Sequence, residues 1–345
     1  MRILSTLKFG RNLEQIHKLD HNDIVHVYDV FDENTIDKWL ATKGRPAYIL
    51  SDHHVLPGKH DNLYCVPLYI EHWATKQVPK LILEECDTNY AFNFNIKTTT
   101  VNRFLCIKLV ELFNLDSFDY TWSGDHTKFN LESVIDELNS LDHDFLTLEQ
   151  RTHLLGPVKH ITKKFLEIDD IPIPAGDEST ARDFKNSVWA WSTGPWNYRL
   201  RHVVGQSAIS LITETVKHQQ TAVFTEKKLF AILGLTFPIW VGGYKQAEQL
   251  KSLGFDVFDD VIDHSYQHCN TLVERCYYAF KKNITLLENL ELCRELKEKH
   301  RDRLISNRNL LVSDHLRLKN LEIINSWPAD LKDCATEIRK SLSLV

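Results

Sequence analysis

The sequence has few of the residues that break regular structure. Its 345 residues include only 12 glycines and 10 prolines, which leaves little room for disordered linkers. No run approaches the roughly 18 consecutive apolar residues needed to cross a bilayer, and no apolar leader follows Met1. We therefore expect a folded chain with no membrane span and no secretory signal, located in the cytoplasm (the host cytoplasm if the source is a virus).

Paired cysteines and an excess of positive charge are also lacking. The seven cysteines are dispersed and form no C-x-x-C pair. This pattern is typical of reduced buried thiols and not of a disulfide framework or a zinc knuckle. The formal net charge is −6, whereas a dedicated duplex-DNA binder needs a positive surface to neutralise phosphates. A local basic patch remains compatible with this balance.

Short apolar runs alternate with polar turns and with helical periods, which is typical of parallel α/β folds. The predicted strands are residues 24–28, 47–50, 90–95, 118–122, 208–213, 237–241 and 257–262. The predicted helices are residues 34–41, 100–115, 131–141, 225–235 and 245–253, followed by a mainly helical chain from residue 269. The length exceeds a comfortable single core. We expect an α/β domain at 1–88, a second at 89–300 with an elaboration at 125–185, and a helical segment at 301–345.

One segment combines a strand-end carboxylate with a polar helix start. Glu214 ends a predicted buried strand, and Thr225 can cap the following helix, whose first turn contains Glu226 and Lys227. Open parallel sheets bind ligands at this edge, where a helix N-terminus and a lysine suit a diphosphate. Glu214 or Glu226 could accept hydrogen bonds from ribose hydroxyls. The bland alternative is that Thr225, Glu226 and Lys227 only cap a helix.

Glycines end the next predicted strand. Gly242 and Gly243 would let the main chain approach a ligand closely.

Together these residues resemble the donor-binding region of α-1,3-fucosyltransferases and related GT-B glycosyltransferases. In that family a strand ending in Phe-Glu-Asn precedes a Thr-Glu-Lys helix and a strand of the Pro-Val/Ile type. Here Thr213-Glu214-Thr215 stands in place of Phe-Glu-Asn, so fucose is not implied. Residues 253–266 and 94–103 also resemble glycosyltransferase-like proteins of bacteria and their viruses.

The resemblance implies a GT-B-like fold, with two Rossmann-like domains and a cleft between them. It implies a nucleotide-diphosphate sugar as co-substrate, with no other cofactor and no metal. Carried over by position, Glu226 would contact the ribose, Lys227 the phosphate, and Glu214 the donor sugar or the ribose. Arg103 is a candidate second phosphate ligand, and its alternative is a solvated helix arginine.

The acceptor would be a glycan, or a hydroxylated DNA base if the source is a virus. Its hydroxyl needs a general base within hydrogen-bond reach. Asp52, His53 and His54, at the end of a predicted strand, are the best-placed candidates.

Two further charged stretches have alternative interpretations. Asp263, His264, His268 and Cys269 imitate a metal site, but the pattern supplies no fixed third ligand. The charged residues 294–308 are typical of a solvated helix face, with contact to a polyanion such as DNA as the alternative.

Two rival functions remain open at this level. A nucleotide-sugar epimerase on the same scaffold would act on the donor without an acceptor. A non-catalytic carbohydrate- or nucleic-acid-binding protein would form no product. The oligomeric state is not predicted.

Overall fold

The computed structural model of the chain describes residues 3–6, 24–27, 49–51, 54–55, 63–66, 71, 86–96, 100–122, 131–142, 144–158, 204–214, 221–222 and 226–341. Its strands are β1 (Ile3–Thr6), β2 (Ile24–Val27), β3 (Ile49–Ser51), β4 (His54–Val55), β5 (Leu63–Cys65), β6 (Tyr90–Ile96), β7 (Phe118–Trp122), β8 (Ser207–Ile212), β9 (Thr221–Ala222) and β10 (Phe237–Trp240). Its helices are α1 (Val101–Leu112), α2 (Glu132–Asn139), α3 (Leu148–Leu155), α4 (Glu226–Leu233), α5 (Gln246–Ser252), α6 (Leu272–Lys282), α7 (Ile284–Leu287), α8 (Leu290–Lys299), α9 (Arg301–Val312), α10 (His315–Asn325) and α11 (Ala329–Ser341). The protein therefore belongs to the α/β class.

The first part of the chain contributes a four-stranded parallel sheet in the order β1-β2-β3-β5. The strands predicted at 24–28 and 47–50 are confirmed as β2 and β3. The helix predicted at 34–41 lies outside the described residues. The parallel strand arrangement expected of the first part is therefore confirmed.

The second sheet is also four-stranded and parallel, in the order β10-β8-β6-β7. Every residue of β8 and β10 is buried, as expected when helices cover both faces of a parallel sheet. Four of the five strands predicted for this unit are confirmed, those at 90–95, 118–122, 208–213 and 237–241. Phe92 and Phe94 of β6 are fully buried and lie against Phe118 of β7, so the core sits directly on the sheet.

The helices that follow β6 and β8 lie on opposite faces of the second sheet. From β6 the chain crosses to β7 on one side, and from β8 it crosses to β10 on the other. Since parallel crossovers are right-handed, α1 and α4 cover different faces. α1 packs against α3 and α6, whereas α4 packs against β8, β10 and α9. The sheet is therefore wound on both faces.

The remaining helix predictions for the second part are confirmed as α1, α2, α4 and α5, and the helical chain from residue 269 as α6 to α11. α6 begins with a capping box, because Thr271 accepts from the main chain of Glu274 and the Glu274 side chain returns to Thr271. Within the predicted elaboration, Val134, Leu138 and Leu154 are buried in the core. The domain boundaries themselves stay predictions.

The strand predicted at 257–262 is wrong. This stretch consists of irregular chain and turns, and Phe258 adopts a left-handed conformation with φ of 60°, which an extended strand excludes. The polar contacts of Asp256 explain the difference, since its carboxylate is held by Arg303 and its carbonyl by Asn307. Tyr266, a few residues after this stretch, accepts a hydrogen bond on its hydroxyl from the main-chain N–H of Trp240 on the outer strand β10, at 2.9 Å.

Described residues of the first part of the chain contact the second part at several points. β4 pairs antiparallel with β9, with His54 opposite Ala222 and Val55 opposite Thr221. The buried carboxylate of Glu71 accepts hydrogen bonds from Asn320 on α10 and Arg339 on α11.

Candidate functional site

The strand order of the second sheet defines one point at which a ligand site is expected. β6 and β8 are neighbours, but their crossovers leave in opposite directions. At such a switch point the two following loops separate and open a crevice at the carboxyl ends of the strands. Thr213 and Glu214 directly follow β8 here, and α1 begins beside them after β6.

Two side chains from the first turn of α1 hold the end of β8. Asn102 donates from Nδ2 to the carbonyl of Glu214 at 2.7 Å, and Arg103 donates from Nε to the carbonyl of Thr213 at 3.3 Å. Thr100 donates in turn to Oδ1 of Asn102 at 2.6 Å. Arg103 is only 3% exposed, so the solvated alternative for this arginine is wrong. Its guanidinium lies at the switch point.

The carboxylate of Glu214 faces a lysine. Oε1 of Glu214 lies 3.8 Å from Nζ of Lys228 on α4. Both side chains are buried, at 3% and 1% exposure, and Lys228 also donates to Oε1 of Gln246, the first residue of α5. Burial lowers the pKa of Lys228 to about 8, although the charge of Glu214 acts in the opposite direction. The Lys228 ammonium therefore remains mostly charged at neutral pH, although burial destabilises this charged form.

The described part of the predicted Thr225-Glu226-Lys227 segment begins at Glu226. α4 begins at Glu226, Lys227 is half-buried, and Thr225 lies outside the described residues. Successive helical residues point about 100° apart, so Lys227 and Lys228 leave the helix in different directions. The described contacts pair Glu214 with Lys228, which the sequence argument did not single out.

Lys228, Gln246 and Asn102 were thus missed from the sequence. One signal was available, because a buried strand-end carboxylate needs a cation and two adjacent lysines follow it. The sequence could not decide which lysine turns inward. Asn102 and Gln246 gave no signal, since single amides are common on helix surfaces.

Gly242 and Gly243 serve internal packing. Gly242 has φ of +82°, and a Cβ there would lie 2.7 Å from Leu272 and 3.0 Å from Sγ of Cys276. A Cβ on Gly243 would lie 2.6 Å from the Gln246 side chain. The main chain at these glycines was expected to approach a ligand closely, but the space beside them is filled by other side chains of the protein.

Several buried polar atoms near this edge have no hydrogen-bond partner among the described residues. They are Oγ1 of Thr213, Nε1 of Trp240 and both side-chain polar atoms of Gln249. Trp240 pairs with Ile212, the last residue of β8, so Trp240 lies at the carboxyl end of that strand. Gln249 lies one turn beyond Gln246 on α5. Unsatisfied buried groups are uncommon and call for a water, an ion or a ligand. The edge is polar, buried and incompletely satisfied.

The predicted catalytic residues are described only in part. Asp52 and His53 lie outside the described residues, but the main chain of His54 is paired with Ala222. Four residues of extended chain, from 222 to 226, span at most about 14 Å. The segment that contains His54 is therefore tied close to the start of α4.

The cluster that imitates a metal site has other contacts. His264 is buried, with Nε2 at 2.8 Å from the carbonyl of Val257 and Nδ1 near Gln267, and burial lowers its pKa. His268 pairs with Glu248 at 3.1 Å. Within the described ranges no group of three or more His, Cys, Asp or Glu residues is arranged to hold a metal ion.

Cys86, Cys106, Cys269, Cys276 and Cys293 are free thiols. No helix in the described part of the chain has the length and apolarity needed to span a membrane.

Fold and site together define an α/β protein with a parallel sheet wound on both faces and a buried charged site at its switch point. No protein-family model matches the chain, and comparison with curated proteins finds no significant match. Chemically, the site offers a carboxylate that can accept hydroxyl donors, a cationic helix start and a buried guanidinium. These groups suit an anionic, hydroxyl-rich ligand.

Proposed function

We propose that this protein is a GT-B-type glycosyltransferase that moves a sugar from a nucleotide-diphosphate donor to an acceptor hydroxyl. The observation that carries the proposal is the buried pair of Glu214 and Lys228 at the switch point of the second sheet. The Glu226-Lys227 helix start beside it supports a diphosphate site. The two parallel sheets support an arrangement of two α/β domains with the donor bound between them.

Each candidate residue has a defined role in this proposal. Lys227 and the main-chain N–H groups at the start of α4, with Thr225 as its cap, bind the diphosphate. Glu226 accepts hydrogen bonds from the ribose, and Glu214 from a hydroxyl of the donor sugar or the ribose. Lys228 is a positioning residue, which holds the Glu214 carboxylate and is itself held by Gln246.

For an inverting transfer the chemistry needs one general base. Asp52, His53 or His54 takes the proton from the acceptor hydroxyl, whose oxygen then bonds to the anomeric carbon. The bond between that carbon and the diphosphate oxygen breaks, and the nucleoside diphosphate leaves with its negative charge. Lys227, Arg103 and the α4 N–H groups stabilise this charge, which is why the proposed mechanism is metal-independent. The acceptor is a glycan, or a hydroxylated DNA base if the source is a virus.

Donor binding is tested by thermal unfolding in the presence of UDP, GDP, CDP and their sugar conjugates. At about 100 times its Kd, the correct nucleotide should stabilise the protein by about 2.7 kcal/mol. The variant Lys227→Ala should lose this stabilisation. Lys251→Ala is the matched control, because Lys251 is an exposed lysine on α5 that pairs with Asp259. Absence of stabilisation by every nucleotide, or full stabilisation of the Lys227→Ala protein, would overturn the donor site.

Turnover then separates the possible activities. A transferase releases nucleoside diphosphate faster when acceptor is added, and glycans and hydroxymethylated DNA are the two acceptors to compare. An epimerase converts the donor sugar without any acceptor. A binding protein is stabilised by the donor but forms no product over hours.

A further inference from the structure

A second cleft lies at the opposite, amino-terminal edge of the second sheet. It has a volume of about 740 Å³. Its walls are the residues just before β6 and β8, represented by Thr88 and Gly205, the end of α4 at Leu233, and the facing sides of α8 and α9. Because ligands of the proposed transferase would bind at the carboxyl edge, this cleft is separate from the candidate site.

The cleft is rich in cations. Four basic side chains from α8 and α9 line it, against two carboxylates, those of Asp87 and Glu298. The four are Arg294, Lys297, Arg301 and Arg308. Arg294 and Lys297 are three residues apart on α8, and Arg301 and Arg308 are seven residues apart on α9, so each pair lies on one side of its helix. The charged stretch at 294–308 is therefore more than a uniformly solvated face, since four of its cations line one concave surface.

Two of these cations are held in place by main-chain carbonyls. Arg294 donates from Nε to the carbonyl of Thr88 at 2.8 Å. Lys297 donates from Nζ to the carbonyls of Gly205 and Ser207 at 3.1 and 2.8 Å. These contacts orient both side chains, and Arg294 is also paired with the carboxylate of Glu291, with Nη1 and Oε1 2.5 Å apart.

Arg308 is the most informative member of the set. It is half-buried in the wall of the cleft, and no hydrogen bond or ion pair joins it to any residue that the structure describes. A guanidinium presents five donors in a planar fork, which matches the oxygens of a phosphate group. Withdrawing such a group from water without a partner is unfavourable, and a bound anion would remove that penalty.

We propose that this cleft binds a phosphate-bearing anion through Arg308 and the neighbouring cations. Its volume falls within the range of small-molecule sites, about 300–1,000 Å³. Helix dipoles add little to anion binding in this cleft, because α9 begins and α4 ends there and their contributions oppose each other. The same chemistry is offered by a small polyphosphate and by the backbone of a nucleic acid, and the experiment distinguishes these two sources.

The test measures binding of tripolyphosphate by calorimetry, and of a fluorescent single-stranded oligonucleotide by anisotropy, both at low salt. Arg308→Ala should weaken binding of the true ligand by roughly tenfold or more, since hydrogen bonds to charged groups are lost. Arg308→Lys, which keeps the charge but loses the fork, should fall between. Lys299→Ala is the matched control, because Lys299 is exposed on α8 and does not line the cleft. Thermal unfolding checks that each variant is folded.

The two ligands give different signatures. If the ligand is a nucleic acid, the oligonucleotide binds more tightly than tripolyphosphate, and Arg308→Ala reduces the salt dependence by about 0.7 in the slope of log K against log salt. If it is a small polyphosphate, tripolyphosphate binds with a 1:1 stoichiometry and displaces the oligonucleotide. Absence of saturable binding of both probes, or equal losses in Arg308→Ala and Lys299→Ala, would refute the proposal. Lys227→Ala, which should abolish stabilisation by the donor nucleotide, should leave this binding unchanged, so failure of the donor site and failure of the cleft are distinguishable.

Discussion

Breaking the pair between Glu214 and Lys228 should destabilise the protein far more than removing both partners. At a separation of 3.8 Å, Coulomb's law gives an attraction of about 4 kcal/mol at an effective dielectric constant near 20. The lowered pKa of Lys228 indicates that burial outweighs this attraction for the ammonium. The pair as a whole therefore contributes little net stability, while each charge depends on the other. Lys228→Met, which leaves a buried carboxylate unpaired, should cost about 3–5 kcal/mol.

The double variant Glu214→Gln with Lys228→Met should recover most of that loss, because neither site then buries a charge. The assay is equilibrium unfolding in urea followed by circular dichroism, with the two single variants and the double variant forming a thermodynamic cycle. Lys251→Met removes an exposed ion pair with Asp259 and should cost under about 1 kcal/mol. If the two single effects add to within about 0.5 kcal/mol, the two side chains are not coupled and the reasoning about the site fails.

Three further outcomes follow from described contacts. The pKa of Lys228 is about 8 in the folded protein against an ordinary 10.5, so only the unfolded chain stays protonated between these values. The free energy of unfolding should consequently rise by up to about 3 kcal/mol across that range, and urea titrations at pH 8 and pH 10 should show no such rise in Lys228→Met. Gly242→Ala combines a left-handed φ with a contact to Leu272 at 2.7 Å. Gly242→Ala should lower the free energy of unfolding by at least about 2 kcal/mol. Gly205→Ala, whose added carbon meets only ordinary contacts, should lower it by less than about 0.5 kcal/mol. Equal urea midpoints of the two variants would contradict this expectation. Thr271→Ala removes the capping box of α6 and should cost about 1 kcal/mol, which Thr271→Ser should restore; a Thr271→Ala midpoint equal to that of wild type would exclude the cap as a source of stability.

Elements with a strong local signal could be predicted from the sequence. β8 and β10 are short apolar runs, β6 alternates aromatic and polar residues, and α1 and α4 have the helical period, so the type of each element followed from its local pattern. The strand expected at 257–262 failed because its apolar residues satisfy the same pattern in an irregular chain. Here the Asp256 contacts with Arg303 and Asn307, distant in sequence, decided the conformation.

The candidate site was predictable in position but not in detail. Glu214 directly follows strand β8, and α4 is the next helix along the chain, so a parallel sheet places Glu214 and the start of α4 at the same edge. The choice of Lys228 as the buried partner depends on the rotation of α4 about its axis, which neighbouring residues in the sequence do not encode. Gly242 shows the same limit, since a strand-end glycine looks alike whether a ligand or Leu272 occupies the space beside it.

The outer strand β10 is poorly suited to pairing with a strand of another chain. Exposed strand edges recruit strands from other chains, and natural sheets block them. On β10, Pro238 and Trp240 share one side of the strand; proline has no N–H to offer, and that of Trp240 is occupied by the Tyr266 hydroxyl. A strand from another chain would find no main-chain N–H donor along this side of β10. Residues 257–262 do not extend the sheet as a further strand, and the outer side of β10 does not favour its extension by another chain either.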